Sequence, residues 1–354
     1  MQFRGTALKM NPTGVPIVTD HMPKQVLNVT AVQLKFRRSL SENVEIIRRF
    51  IAEGARAGSD VVLFPECALT GYNVDFDRLT RREVENGLKA VAEAARAHRC
   101  HVLIGSPTFS RGRRFNSLVV FDRQGREKFR YHKIHLTPRD AKLFIPGNSV
   151  AFFRIDGVPC TAIICHERRF PELVRLPVMM GAQIVFHPNA GLDALAVSKT
   201  KRGGRDGIAV RAFENQVYYV FANSVGPQGG GLWSAGDSKI VAPDSQVLAL
   251  ANNRDEMLIQ ARFDLSQAGR NESSFLKLSL DRPDVAAGHH DIVEPDGLAV
   301  LPILFRRVAL VVAVVFEPET IHFQVHVVAP ADAGEFADQL SIDPHRLKRC
   351  RPLA

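Results

Sequence analysis

The chain has 354 residues, of which 45% are hydrophobic and 23% are charged. This composition is typical of a soluble globular protein with one large domain or two smaller ones. The net charge of +9 is spread along the sequence, apart from one basic cluster at 346–351, so it argues against nucleic acid as the main partner.

The first half of the chain alternates between short apolar runs, typical of buried strands, and longer stretches with helical periodicity. A capping box formed by Ser39 and Glu42 marks the start of the first helix. In chain order, the pattern predicts a strand over 25–36, this helix, a strand over 60–66, a helix over 81–99, a strand over 101–109 and two strands within 116–133 that join at Gln124 and Gly125.

The second half repeats the alternation as far as residue 270. It predicts a strand pair over 150–167 that turns at Gly157, a helix from Pro171, a strand over 183–189, a helix over 207–217, a strand over 218–226 and two more strands within 237–251 and 257–265. Strands that alternate with helices and are apolar throughout indicate an α/β domain whose helices cover its sheets.

The same pass along the chain predicts three regions. Residues 1–24 are aperiodic and form an irregular N-terminal arm, residues 25–288 form the α/β domain, and residues 289–354 form a strand-rich C-terminal appendage of undisclosed role. The most apolar run, Val308–Phe316, is far shorter than the ~20 residues that a membrane helix needs, and the N-terminal arm has no secretory signal. We therefore expect a cytoplasmic protein that does not contact membranes.

Five cysteines, an odd number without dense spacing, do not indicate a disulfide framework. The chain has neither a C-x-x-C pair nor an H-E-x-x-H helix, so a structural zinc site is not expected. The sequence "GHHD" (288–291) could ligate a metal, although paired histidines in a loop are usually solvated. We predict no metal site.

Three polar residues stand where predicted strands end: Glu66 after "VVLFP", Lys133 in "RYHKIHL" and Cys165 after "TAII". The carboxyl ends of strands in an α/β sheet are where ligand sites form. Brought together there, the carboxylate would take the thiol proton, the thiolate would attack a carbonyl and the ammonium would stabilise the resulting oxyanion. Together they would form a nucleophilic site.

Each of these residues also has a simpler interpretation. A lone cysteine that ends a strand is usually a small hydrophobe, a glutamate after proline is usually a helix cap or a solvated turn residue, and a lysine among charges usually lies on the surface. Spacing alone does not decide between the two interpretations.

The local motifs favour the catalytic one. "FPECALTGY" (64–72), "HKIHL" (132–136) and "ICHERRFPE" (164–172) resemble the three signatures of the nitrilase superfamily, the carbon–nitrogen hydrolases, and occur in that family's order. The resemblance covers roughly residues 27–287, including "LFIPG" (143–147) and "FLKLSLDRPDV" (275–285).

The resemblance implies a four-layer α-β-β-α sandwich. It also implies Glu66 as general base, Lys133 as oxyanion stabiliser, Cys165 as nucleophile and the backbone N–H of His166 as a second oxyanion donor, although Tyr, Trp or Asn is commoner than His at that position. This chemistry needs no metal and no organic cofactor. The remaining cysteines match no catalytic position and are expected to be inert, namely Cys67, Cys100, Cys160 and Cys350.

One position departs from the family pattern. The family often carries a second glutamate shortly before the "F-x-P-G" motif, and here Asp140, one methylene shorter, stands at that position. Because catalysis depends on position at the level of about 1 Å, the shorter side chain could alter the site. Alternatively, Asp140 is an ordinary turn residue beside Arg139.

The residues after Cys165 indicate the branch of the family. "RRFPE" resembles amidases and carbamoylases more than true nitrilases, and the pair Arg168 and Arg169 resembles N-carbamoyl-D-amino-acid hydrolases, in which such arginines bind the substrate carboxylate. Asn189 falls where that branch has a substrate-contacting Asn. Alternatively, Arg169 pairs with an acidic residue and is structural.

We therefore predict a hydrolase of small amides or N-carbamoyl compounds, either an N-carbamoyl-amino-acid hydrolase or an amidase for carboxylate-bearing substrates. The alternatives are a nitrilase, a carbamoyl-amine hydrolase or a non-catalytic binding protein on the same fold. The resemblance also implies a homodimer or higher homo-oligomer, and the apolar run at 308–316 needs cover against aggregation.

Overall fold

A computed structural model describes residues 24–72, 75–200 and 207–269, and the backbone of three strands within 298–328. The rest of the predicted N-terminal arm, the "GHHD" sequence, the "FLKLSLDRPDV" segment, Cys350 and the basic cluster at 346–351 lie outside the described residues.

The described elements alternate along the chain as the sequence predicts. The strands are β1 (Val26–Gln33), β2 (Val61–Leu63), β3 (His101–Ser110), β4 (Arg113–Phe121), β5 (Glu127–His132), β6 (Phe153–Ile155), β7 (Val158–Ala162), β8 (Ile184–Asn189), β9 (Asp193–Ala194), β10 (Tyr218–Asn223), β11 (Val225–Gly229), β12 (Leu232–Ala235), β13 (Lys239–Val241), β14 (Val247–Leu250), β15 (Met257–Asp264), β16 (Leu298–Phe305), β17 (Val308–Glu317) and β18 (Thr320–Val328). The α-helices are α1 (Leu40–Arg56), α2 (Arg81–His98), α3 (Glu172–Met179), α4 (Leu195–Thr200) and α5 (Ile208–Asn215).

Two six-stranded sheets form the centre of the domain. The first has the strand order β15-β1-β2-β3-β4-β5 and the second the order β14-β13-β10-β8-β7-β6. Buried side chains of both sheets, including Leu27, Val29, Phe186 and Val220, pack in one cluster, so the sheets face each other. Burying such residues stabilises the fold by about 1.5–3 kcal/mol for each large aliphatic or aromatic side chain.

Helices cover the outer faces of both sheets. Phe50 of α1 and Val91 of α2 pack with first-sheet residues such as Val62, and Leu173 of α3 and Ala212 of α5 pack with second-sheet residues. The predicted α/β fold with four layers, α-β-β-α, is therefore confirmed.

The first two helices begin where their sequences provide caps. The Ser39 hydroxyl accepts from the Glu42 N–H and the Glu42 carboxylate accepts from the Ser39 N–H, as predicted, and Thr80 and Glu83 form the same capping box at α2. Each cap satisfies backbone N–H groups that a helix start leaves unpaired and contributes about 1 kcal/mol.

Several short elements were not predicted. The segment at 237–251 contains two strands, β13 and β14, and the run at 218–226 ends in β10 at Asn223 before β11 begins. The strands β11, β12 and β9 form a separate three-stranded sheet, next to α4 in the chain. Elements this short give no measurable periodicity in the sequence.

The chain forms two compact units, Met1–Asn271 and Glu272–Ala354. In the second unit, β16, β17 and β18 form an antiparallel three-stranded sheet, and the apolar run at 308–316 lies in its central strand. The predicted boundary at 288 lies in a stretch outside the described residues. No helix in the described part of the chain is long and apolar enough to cross a membrane.

Candidate active site

A cavity of about 370 Å³ opens beside the carboxyl ends of β2, β5, β7 and β8. All of the residues that the sequence singled out contribute to its lining: Glu66, Lys133, Asp140, Cys165, His166, Arg168, Arg169 and Asn189. Residues from both halves of the chain therefore meet at one place, because β2 and β5 of the first sheet and β7 and β8 of the second end beside the same cavity and the two sheets face each other.

Three charged side chains meet at the floor of this cavity, and we call them the Glu66–Lys133–Asp140 cluster. Lys133 Nζ donates to Glu66 Oε1 at 2.7 Å and to Asp140 Oδ2 at 2.8 Å. Each of the three side chains is about 1% exposed. The Glu66 carboxylate holds the pKa of the Lys133 ammonium above its usual range despite its burial, so the lysine remains charged.

Further hydrogen bonds and close backbone packing fix the position of Glu66. Its Oε1 also accepts from Asn116 Nδ2 at 2.7 Å, and its Oε2 accepts from the Ala190 backbone N–H at 3.1 Å. The backbone around Glu66 lies so close to Gly105 on β3 that a Cβ there would come within 2.7 Å of the Glu66 Cα. Only glycine fits at that position. Sequence analysis did not predict Asn116 or Gly105, and no local motif marks either.

Asp140 joins this cluster from a 3-10 helix, Asp140–Lys142. Its Oδ2 accepts from the Thr137 N–H at 3.1 Å as well as from Lys133, so the aspartate occupies a turn and also contacts the lysine. The shorter side chain therefore still reaches Lys133. Burial and the neighbouring Glu66 charge raise the pKa of Asp140 to about 7.

Cys165 begins the 3-10 helix Cys165–Arg169, just beyond the end of β7. Its φ of 51° places it in the left-handed region, which costs a non-glycine residue about 1–2 kcal/mol. Cys165 is half-buried, unlike the buried Cys67, Cys100 and Cys160. Burial and the Glu66 carboxylate raise the pKa of the Cys165 thiol to about 12, against the smaller opposing effects of Lys133 and the Ala190 N–H, so the thiol is protonated in the resting site.

Arginines dominate the outer part of the cavity. Arg168 is half-buried and Arg169 is exposed, and within the described ranges neither forms an ion pair. A third guanidinium, that of Arg139, lies over the Tyr72 ring at 5.7 Å.

Asn189 is buried in the same cavity. Its Nδ2 donates to Asn223 Oδ1 at 2.8 Å, whereas its own Oδ1 is buried and has no hydrogen-bond partner in the described part of the protein. Because a buried polar atom without a partner costs about 1–3 kcal/mol, this oxygen is suited to accept a hydrogen bond from a ligand.

No group of three or more metal-ligating side chains is present among the described residues. The cavity lining brings together a thiol, two carboxylates and an ammonium, a set of groups that is suited to nucleophilic attack on a carbonyl.

Comparison with known proteins identifies this arrangement. The family model described as carbon-nitrogen hydrolase matches residues 28–271, well over half of the chain. The chain belongs to the carbon–nitrogen hydrolase family. The predicted family, the nitrilase superfamily, is therefore confirmed.

Individual members of the carbon–nitrogen hydrolase family show the type of activity. An (R)-stereoselective amidase of Pseudomonas sp is 31% identical over 243 residues, which cover 68% of this chain and 85% of the relative. A 2-oxoglutaramate amidase of Bacillus subtilis is 28% identical (66% and 89% covered), and an omega-amidase of Homo sapiens is 27% identical (67% and 88% covered). The chain is a hydrolase of the amidase and nitrilase type.

Solved structures of carbon–nitrogen hydrolases share the fold. A variant of the amidase from Nesterenkonia sp. AN1 in complex with acrylamide superimposes with a TM-score of 0.63 at 21% identity, covering 75% of this chain and 97% of that one.

One residue of this carbon–nitrogen hydrolase that the sequence analysis did not include is Glu167. It is fully buried, and its carboxylate accepts from the Ile134 N–H at 2.6 Å, the His135 N–H at 3.1 Å, the Tyr131 hydroxyl at 2.8 Å and the Ile164 N–H at 2.7 Å. It therefore ties the backbone that follows Lys133 to the backbone that precedes Cys165. The signal in the sequence is an acidic residue inside an otherwise basic turn after the cysteine.

Proposed function

We propose that this enzyme hydrolyses small amides that carry a carboxylate, through a thioester on Cys165. The observation that carries the proposal is the pair of arginines, Arg168 and Arg169, on the outer part of a cavity whose floor holds Cys165 and the Glu66–Lys133–Asp140 cluster. Because guanidinium groups bind carboxylates, this arrangement supports a substrate with a carboxylate at one end and an amide at the other.

In the first half-reaction, Glu66 takes the proton from the Cys165 thiol as the sulfur attacks the amide carbon. A base is needed because the thiol, with its pKa raised to about 12, is not ionised in the resting site. The carbonyl oxygen becomes an oxyanion that accepts hydrogen bonds from Lys133 Nζ and the His166 N–H. The C–N bond then breaks, Glu66 returns the proton to the nitrogen, and ammonia leaves.

In the second half-reaction, Glu66 takes a proton from a water molecule, which attacks the thioester. The second tetrahedral intermediate has its oxyanion at the same two donors. The C–S bond breaks, the proton passes from Glu66 to the sulfur, and the carboxylic acid product leaves. Both halves use the same base and the same oxyanion donors, so one buried cluster is enough for the whole cycle.

Asp140 acts in this mechanism by holding Lys133 in place opposite Glu66. Because its pKa is raised to about 7, Asp140 is protonated below that pH and ionised above it. We therefore expect kcat/KM to rise as the pH increases through about 7 and then to level off, since only the ionised carboxylate anchors the ammonium fully. In Asp140→Asn this change in kcat/KM near pH 7 should disappear and the plateau should be lower.

The measurement is kcat/KM against pH for the wild type, Asp140→Asn and the control Asp244→Asn, an exposed carboxylate in a turn. The control should retain the wild-type profile. An unchanged rise near pH 7 in Asp140→Asn would assign the ionisation to another group.

The relatives support a carboxylate-bearing substrate. The name 2-oxoglutaramate amidase denotes an enzyme for a dicarboxylic acid monoamide, which carries a carboxylate at one end and an amide at the other. Such a molecule matches a cavity of about 370 Å³ with guanidinium groups on its outer part and a thiol at its floor.

N-carbamoyl amino acids are a second candidate, and Asn189 favours them. In an N-carbamoyl amino acid the carbonyl carbon carries a second nitrogen, opposite the one that leaves as ammonia. Its N–H group is absent from a dicarboxylic monoamide. The unpartnered Asn189 Oδ1 is suited to accept a hydrogen bond from it.

A panel of substrates scored by ammonia release tests the proposal. It contains a dicarboxylic monoamide, its neutral methyl ester, an N-carbamoyl amino acid, a cationic carbamoyl amine and a simple nitrile. We expect the carboxylates to be the best substrates, because a guanidinium left without its anion loses a charge-assisted hydrogen bond worth about 1.5–3 kcal/mol, or roughly 10–100-fold in kcat/KM. The nitrile should release no ammonia.

Arginine variants test which side chain binds the substrate carboxylate. Arg168→Met or Arg169→Met should raise KM for the carboxylates and leave the neutral ester unchanged, whereas the control Arg175→Met, which changes an arginine on α3 outside the cavity lining, should change neither. Equal rates for acid and ester, or a preference for the cationic carbamoyl amine, would contradict the role of the arginines and leave the thioester mechanism in place.

A further inference from the structure

A buried histidine lies behind Cys165, on the second sheet. His187 of β8 is completely buried, and its Nε2 lies 3.1 Å from the Cys165 backbone oxygen. On its other side, its Nδ1 lies 3.0 Å from the Tyr219 hydroxyl, which comes from the neighbouring strand β10. The two side chains thus form a short chain of hydrogen bonds that ends at the nucleophile's own carbonyl.

The partners determine the tautomer of His187. A carbonyl oxygen can only accept a hydrogen bond, so the His187 Nε2 carries the ring proton and donates a hydrogen bond to the Cys165 backbone oxygen. Nδ1 then accepts from the Tyr219 O–H. Burial and the nearby Arg168 charge lower the pKa of His187 to about 3, so the imidazole stays neutral and this direction of donation does not change at physiological pH.

This hydrogen bond has a consequence for the next amide. The carbonyl of Cys165 and the N–H of His166 belong to one planar trans peptide, in which they point in opposite directions. When His187 donates its hydrogen bond to the Cys165 carbonyl, the His166 N–H faces away from His187. His166 is itself one of the residues that line the cavity. A hydrogen bond accepted by the carbonyl also polarises the peptide and strengthens its N–H as a donor.

We propose that His187, supported by Tyr219, is a positioning residue that aims the His166 N–H at the substrate oxyanion. It acts through the Cys165–His166 peptide and does not itself touch the substrate. The inference rests on the thioester mechanism proposed above and adds to it the group that orients one of the two oxyanion donors.

A packing role alone would make a different prediction. The His187 ring lies against those of Tyr219 and Phe221, with centroids 5.8 and 4.9 Å apart. An apolar side chain of similar size could maintain such contacts, but it could not donate to the Cys165 carbonyl. Variants that retain or remove the donor therefore separate the two roles.

The experiment compares His187→Leu, His187→Gln and Tyr219→Phe. Leucine removes the donor, whereas glutamine can place an N–H close to the position of Nε2. We expect His187→Leu to lower kcat at least about tenfold with KM little changed, because loss of one oxyanion donor outright costs about 10²–10³-fold in kcat. His187→Gln should recover most of the rate, and Tyr219→Phe should lower kcat by a smaller factor.

Alkylation of Cys165 by iodoacetamide distinguishes a positioning role of His187 from a merely structural one. A structural defect would lower the alkylation rate and amide turnover together, whereas loss of an oxyanion donor would lower turnover alone. In that reaction the thiolate displaces iodide from carbon, Glu66 takes the thiol proton, and no oxyanion forms. The alkylation rate in His187→Leu should stay within about threefold of the wild type while amide turnover falls. Tyr218→Phe is the matched control, because its hydroxyl bonds the Asp264 carbonyl and not the site, and it should retain wild-type kcat.

Turnover of His187→Leu within threefold of the wild type would overturn the inference, and so would alkylation that falls in parallel with turnover. If His187→Leu does not fold, Tyr219→Phe decides, since it retains every ring and removes only the hydroxyl; wild-type kcat in that variant would then overturn the inference. Failure of the proposed function would look different, because the wild type would release no ammonia from the amide panel or Cys165→Ala would still release it.

Discussion

Replacing Cys165 by alanine or serine should abolish ammonia release and leave the fold intact. The sulfur forms the covalent bond in each turnover, and neither a methyl group nor a hydroxyl beside Glu66 replaces it as a nucleophile. The fold should be little affected, because Cys165 is only half-buried and alanine has the same Cβ at this left-handed backbone position. We expect a melting temperature within about 2–4 °C of the wild type, the shift that 1 kcal/mol causes in a domain of this size.

The matched control is Cys160→Ala, which removes a completely buried thiol from the core between the sheets. It should lower stability by about 1 kcal/mol and leave kcat unchanged. Ammonia release by Cys165→Ala at more than a trace of the wild-type rate would rule out the thioester mechanism, and intact-mass detection of an acyl group on the wild type alone would support it.

Glu66→Gln should lower kcat by about 10²–10⁴-fold, the usual contribution of general acid–base catalysis. The amide has nearly the same shape as the carboxylate but cannot accept the thiol proton. The amide also fits this position poorly. In the wild type the Glu66 Oε1 accepts hydrogen bonds from Lys133 and Asn116, and Oε2 accepts one from the Ala190 N–H. The NH₂ group of glutamine would therefore face a donor in either orientation. A moderate loss of thermal stability should accompany the loss of rate.

Two observations separate the chemical effect from the structural one. Glu256→Gln changes a carboxylate that pairs with Arg37 at 2.6 Å and lies outside the cavity lining, and it should retain kcat. In Glu66→Gln, iodoacetamide should alkylate Cys165 much more slowly than in the wild type, since the base that ionises the thiol is missing. Wild-type alkylation together with lost turnover would move the role of Glu66 from the thiol to a later step.

The residues of the cavity differ in how far the sequence could predict them. Glu66, Lys133 and Cys165 stand in local motifs at the ends of apolar strands, so their sequence neighbours suffice to single them out. Asp140 could be placed only as an aspartate where glutamate is common, and its contact with Lys133 emerged from the path of the 3-10 helix. Whether Arg169 pairs with an acidic residue likewise depends on residues that are distant from it in the sequence.

Glu167 and His187 show what local patterns miss. Glu167 reaches the backbone of residues more than thirty positions earlier in the chain, and His187 reaches the Cys165 carbonyl across a gap of 22 positions. Both look unremarkable in the sequence, an acid in a charged turn and a histidine within an apolar strand. Their roles depend on which atoms lie opposite them after the strands have paired.

The sequence by itself determined the alternation of strands and helices, the helix caps and the family, because each of these depends on residues within a few positions of one another and on side-chain periodicity. Only the tertiary structure decided which polar groups share the cavity. The Ala190 N–H bonds Glu66 across 124 positions of sequence, and that contact exists only because two sheets pack face to face with a particular register. Hydrogen bonds form within a few tenths of an ångström, whereas a one-residue slip moves a strand by about 3.3 Å, so the site is set by registers that local sequence patterns do not contain.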